Sequence, residues 1–159
     1  MEDGASMIST SCGFLAAYQS QLSDAVRVPV ITSSLLQCVW FKRPGIVTFD
    51  ASALGPGILT AAAVPAGTPI EGIDPSTEFY RKILGNEPTL DLIEAERNVV
   101  DAAIRLVSQH PDVEDIVLEC TNMPPYRAAV VNATGRKVHD LETLLIGAWG
   151  RALARETSP

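Results

Sequence analysis

The sequence predicts an α/β protein of parallel strands flanked by helices, and three observations point there. Short, near-continuous apolar runs such as "VPVI" (28–31), "GIVTF" (45–49) and "DIVLE" (115–119) suit strands buried on both faces. Amphipathic segments alternate with these runs, as expected where helices cover a parallel sheet. A composition of 47% hydrophobic and 19% charged residues can build a core, so general disorder is excluded.

In chain order, strands are expected at 5–10, 28–31, 45–49, 68–73, 115–119 and 136–139. Helices are expected at 13–26, 33–41, 51–63, 76–84, 89–109, 124–134 and 141–155. The first strand rests on the apolar stretch Ala5 to Ile8, after which Ser9 to Cys12 lead into a helical pattern at Gly13. "TSS" (32–34) offers a cap for the helix that follows, and Asp50 one for the helix at 51. Segment 61–78 is rich in Pro and Gly and reads as a connection holding one short strand. The clearest helix is "TLDLIEAERNVVDAAIRLVSQH", where Leu92, Ala95, Val99, Ala102, Ala103 and Leu106 follow a period near 3.6. Thr89 is its expected cap, Pro111 its stop, and His110 a helix-end residue near the negative pole. Asp140 is expected to cap the helix from Leu141, and His139 beside it ends the last strand, within reach of a cleft. Cys38 in "LLQCVWF" reads as a small core hydrophobe, and Trp40 and Trp149 as core or interface residues.

Charge and composition exclude several functions. A net charge of −7, with no run of Lys or Arg beyond a pair, disfavours nucleic acid and anionic membrane as partners. No segment reaches the roughly 20 apolar residues of a membrane span. The first residues are acidic and polar, unlike a secretory leader, and three cysteines form no even framework, so reduced thiols in a cytoplasmic compartment are expected. There is no Gly-rich phosphate loop, no GxGxxG and no metal-ligand cluster. Neither cofactor nor metal is expected.

The candidate chemistry lies at Cys12 and Cys120. Each follows a strand-like run and precedes small polar residues and a helix, the position at which parallel α/β sheets bind ligands. A helix N-terminus lowers a thiol's pKa and attracts an anion. Ser11, Gly13, Thr121 and Asn122 flank the two cysteines with hydroxyl, amide and backbone donors for a carboxylate, and Thr48 ends a third strand. No lysine or histidine adjoins either cysteine, which leaves activation to helix ends and N–H groups. Two thiols facing one carbon suit inversion next to a carboxylate, where one base removes the α-proton and an acid on the opposite face returns one.

"STSCGFLAAYQ" and "IVLECTNMPPY" resemble the aspartate/glutamate racemase superfamily, which also includes hydantoin racemases, maleate isomerases and arylmalonate decarboxylases. The resemblance continues through "VPVITSSLLQ", "GIVTFDASAL", "EFYRKIL" and "RKVHDLETLL". It implies two α/β lobes with the site between them, and cofactor-independent proton transfer by Cys12 and Cys120. It further implies that Thr121 is the small hydroxyl residue after the second cysteine. Gly13 and Phe14 depart from the Asn and Thr or Ser common after the first cysteine, and Asn122 stands where glutamate racemases place a histidine. The substrate is therefore left open.

Relatives carry two strands and a substrate-contacting loop before the first cysteine, and eleven residues precede Cys12 here. The resemblance thus implies a racemase-like fold with an incomplete first lobe, 1–32 with 141–159, and a second lobe, 33–140. Open strand edges in that first lobe would favour self-association. The expected function is that of an isomerase, a racemase or maleate-isomerase-like enzyme acting on a small carboxylate. The presence of both cysteines argues against arylmalonate decarboxylation, for which relatives keep only the second. The alternative is a truncated, non-catalytic member that binds an anion or a partner.

Overall fold

Six strands, all paired in parallel, form two sheets in this computed structural model, which describes residues 4–156. The larger sheet has the order β4-β3-β5-β6, built from β3 (Pro44–Thr48), β4 (Ile70–Gly72), β5 (Asp115–Leu118) and β6 (Lys137–His139). Every residue of β3 and β5 is buried, which explains their unbroken apolar runs. The register sets Ile46 opposite Val117 and Val47 opposite Leu118, and the pleat sends the two pairs to opposite faces.

Val47 and Leu118, with Ile116, join the core beneath α4 (Leu92–Gln109), where Val99, Ala103 and Leu106 pack with Phe79. Ile46 and Val117 face the segment 13–40, meeting Ala16, Leu35 and Cys38. Two parts of that segment are 3₁₀-helices, Gly13–Tyr18 and Ser34–Trp40, where continuous α-helices were expected. Side chains three apart eclipse in a 3₁₀-helix, and the buried pairs Gly13/Ala16 and Leu35/Cys38 have that spacing. The first continues into α1 (Gln19–Asp24).

The smaller sheet has only β1 (Ile8–Ser9) and β2 (Val30–Ile31) among the described residues. Side chains extend this short pairing. The Thr10 hydroxyl donates to the Thr32 carbonyl (2.6 Å), while Gln19 donates to the Val30 carbonyl (2.8 Å) and accepts from the Thr32 hydroxyl (2.7 Å).

Five of the six strands fall within their expected ranges and β3 begins one residue early, at Pro44, whereas helix starts moved further. Asp50 caps a turn, accepting from the Ser52 N–H, and α2 (Pro56–Ala61) begins later, after Gly55 with proline in its first turn. Asp91, not Thr89, caps α4, because its Oδ1 accepts from both Ile93 and Glu94 N–H groups. α3 (Glu78–Leu84) is capped by Thr77, and α5 (Arg127–Thr134) follows a 3₁₀ turn at Pro124–Tyr126. α6 (Leu141–Glu156) is capped by Asp140 as expected, its Oδ1 accepting from the Thr143 N–H at 2.8 Å. Trp40 and Trp149 are not core residues: they are 61% and 45% exposed and border an apolar groove between β2 and α6. No described helix is long and apolar enough to cross a membrane.

Candidate functional site

The site forms where two βα junctions meet. After β5 the Glu119 N–H still bonds to the Val47 carbonyl (2.8 Å), and the chain then turns, with the Met123 N–H closing on the Cys120 carbonyl (3.0 Å). After β1, Cys12 is extended and occupies the cap position of the first 3₁₀-helix, its carbonyl accepting from the Leu15 N–H (3.1 Å). The Thr121 hydroxyl donates to the Ser11 carbonyl at 2.7 Å and fastens one junction to the other.

Both cysteines line one cleft of about 160 Å³, together with Ser11, Gly13, Thr121 and Asn122. Phe14, Phe49, Ile83 and Glu119 complete it. Cys12 is exposed and Cys120 half-buried, while Cys38 lies in the core as expected, its thiol pushed up to about 12 by burial. Burial also pushes the Cys120 thiol up to about 11, with smaller upward contributions from Glu119 and Cys12. The Asn122 N–H and side chain act in the opposite direction, the Asn122 Nδ2 lying 3.7 Å from Sγ, but they do not prevail. The expected helix-end lowering of this thiol is therefore outweighed by desolvation.

Thr48 is the one expected site residue that does not reach the cleft. It is wholly buried and donates its hydroxyl to Glu119 Oε2 at 2.8 Å. His139 also stays away, stacked on Phe41 at 4.2 Å and paired with Asp115 Oδ1 at 2.9 Å. The residue that sequence reasoning missed is Glu119, which is 2% exposed. Its signal was present, a carboxylate inside an apolar run immediately before Cys120. Gly13 shows how tightly it is held, since a Cβ there would collide with the Glu119 carboxylate and lie 2.5 Å from its carbonyl oxygen. Among the described residues no group of His, Cys, Asp and Glu is arranged to hold a metal ion.

This architecture is a racemase-like α/β fold, and solved structures of that type match it. A crystal structure of arylmalonate decarboxylase has a TM-score of 0.60 at 18% identity, covering 86% of this chain and 64% of that one. A glycine-to-cysteine mutant of arylmalonate decarboxylase in its sulfate-associated form (0.58, 18%) and the unliganded enzyme (0.55, 20%) match similarly, with 62% and 63% of those chains covered. At these identities the likeness shows the fold. No protein-family model matches the chain. By sequence, a dimethylsulfoniopropionate lyase from Durusdinium sp. clade D is 31% identical over 152 residues, spanning 87% of this chain and 50% of that protein. The chain thus spans about half the length of this curated relative.

Proposed function

We propose that the cleft transfers protons, without a cofactor, at the carbon next to a carboxylate, with Cys12 and Cys120 as the acid–base pair. The observation that supports this reading is that two thiols from separate βα junctions line the same small cleft. Cys120, desolvated, is the group better placed to keep its proton, and Cys12 is the thiol that meets solvent. The thiolate takes the α-proton, the C–H electrons pass into the carboxylate as an enediolate, and the opposite thiol protonates the other face. Ser11, Thr121 and Asn122, with backbone N–H groups near Gly13, are the proposed carboxylate donors. The product is the inverted acid.

The sequence relative supports a second outcome of the same first step. In a β-sulfonio propionate the α-carbanion can form a C=C bond while the β C–S bond breaks. The sulfur departs with that electron pair as dimethyl sulfide and leaves acrylate. This elimination needs a base but no second proton donor at carbon.

One experiment addresses both. The protein is incubated in deuterated water with amino-acid enantiomers, hydantoins, maleate and dimethylsulfoniopropionate, and followed by proton NMR. Deuterium at an α-carbon with inversion supports the racemase reading, and release of dimethyl sulfide supports elimination. A folded protein that neither exchanges nor converts any of them is the non-catalytic, anion- or partner-binding alternative.

A further inference from the structure

The cleft contains two thiols but, among the described residues that line it, no cationic side chain to stabilise a thiolate and a single carboxyl, Glu119. That carboxyl is wedged between the two junctions. It is covalently next to Cys120, its Oε2 is held by the Thr48 hydroxyl of β3, and it presses on the backbone of Gly13, the residue after Cys12. We propose that Glu119 is a positioning residue that sets the ionisation of Cys120, holding that thiol in its protonated form once its own carboxyl has lost its proton. The catalytic meaning of this role rests on the two-thiol reading above, but the charge coupling does not.

Glu119 and Cys120 are adjacent acidic groups, both desolvated, and do not ionise independently. Burial pushes Glu119 up to about 7, against the Thr48 hydroxyl and the Phe49 N–H, which both favour its anion. Near neutrality the carboxyl is thus the first of the coupled groups to give its proton to solvent, and its charge then opposes a thiolate at Cys120. The groups facing Glu119 are the thiols of Cys12 and Cys120 and the neutral hydroxyl of Thr48. The Ser34 hydroxyl donates to the carbonyls of Leu118 (2.8 Å) and Glu119 (3.5 Å). On the neighbouring elements, Asp50 is bonded to Ser52 and the Tyr80 hydroxyl, Lys82 is paired with Glu87, and Arg127 with Asp140 and Glu142. The charge that Cys120 senses as pH crosses neutrality is therefore that of Glu119.

The test needs no substrate. Alkylation of each cysteine by iodoacetamide is timed by mass spectrometry from pH 5.5 to 9 in the full chain and in Glu119→Gln. At pH 5.5 the Glu119 carboxyl is protonated and as uncharged as the glutamine that replaces it, so the Cys120 rates should agree. At pH 8.5 the variant should react several-fold to about tenfold faster, the effect of removing one close like charge worth up to about one pKa unit. A ratio that is constant across pH, whether one or larger, overturns the proposal, because a packing role alone would not follow pH. Cys38 is the folding control, since its buried thiol should stay unmodified. If Cys38 reacts in Glu119→Gln, Thr48→Val decides the matter. Losing the hydroxyl that favours the anion should move the Cys120 inflection to higher pH, and an unmoved inflection overturns the proposal. The outcome is also separable from that of the substrate experiment, because charge coupling can be present or absent whichever substrates turn over.

Discussion

The two sheets hold the two cysteines in very different ways. β3 and β5 are buried along their whole length and sandwiched between two apolar clusters, whereas β1 and β2 have two residues each and only Val30 among them is buried. Cys120 therefore extends from the fully buried sheet strands, and Cys12 from a pairing completed by side-chain hydrogen bonds. The same contrast separates the chemistry of the thiols. Packing desolvates Cys120 and favours its neutral form, while Cys12 meets solvent. One structural asymmetry thus separates a desolvated thiol from a solvent-exposed one, with no histidine or lysine among the described residues that line the cleft.

The largest expected effect is in local stability. Amides of β3 and β5 should exchange hydrogen orders of magnitude more slowly than those of β1 and β2, because opening the larger sheet approaches global unfolding. Equal protection would break the comparison. Next, Phe79→Ala, beneath the large sheet, should cost roughly 3–5 kcal/mol in denaturant unfolding. Ile31→Ala, half-buried on β2, should cost about 1 kcal/mol. Gly13→Ala sets a Cβ against Glu119 and should cost about 3 kcal/mol by overpacking, with an altered Cys12 environment visible in its alkylation rate.

The pH dependence of stability sharpens the contrast further. Glu119 is pushed from 4.5 to about 7 in the folded state, so between those values the native protein binds more protons than the unfolded chain. Its contribution to stability is therefore lost as pH rises from about 4.5 to 7, by at most roughly 3 kcal/mol. Melting of Glu119→Gln across pH 4.5–7.5 should show a flatter profile than the unchanged protein. The smallest effect is expected for Thr121→Val, which breaks the tie to Ser11 and should cost about 1 kcal/mol while loosening the Cys12 side of the cleft.

The strands were legible because a parallel sheet covered on both faces leaves unbroken apolar runs, and all six stand within one residue of their expected ranges. Helix starts were less so, since several residues could cap and tertiary geometry chose among them. Asp91 reaches two N–H groups that Thr89 does not cap, and Asp50 is committed to a turn and to Tyr80. The 3₁₀ segments escaped notice because a six- or seven-residue piece carries too few turns to distinguish a period of 3.0 from 3.6. At the site, the cysteines announced themselves by their matched settings at two βα junctions. Glu119 did not, because a strand-end glutamate normally points to water, and only the fold reveals that Thr48 and Gly13 enclose it.

The most direct test of the two-thiol account is hydrogen exchange at the α-carbon of a substrate from the panel above, in deuterated water. It compares the unchanged protein with Cys12→Ser and Cys120→Ser. The account predicts that inversion is lost in each variant, while exchange from a single enantiomer can persist, because one thiol still removes a proton without the other completing the transfer. Full inversion retained in either variant would contradict it.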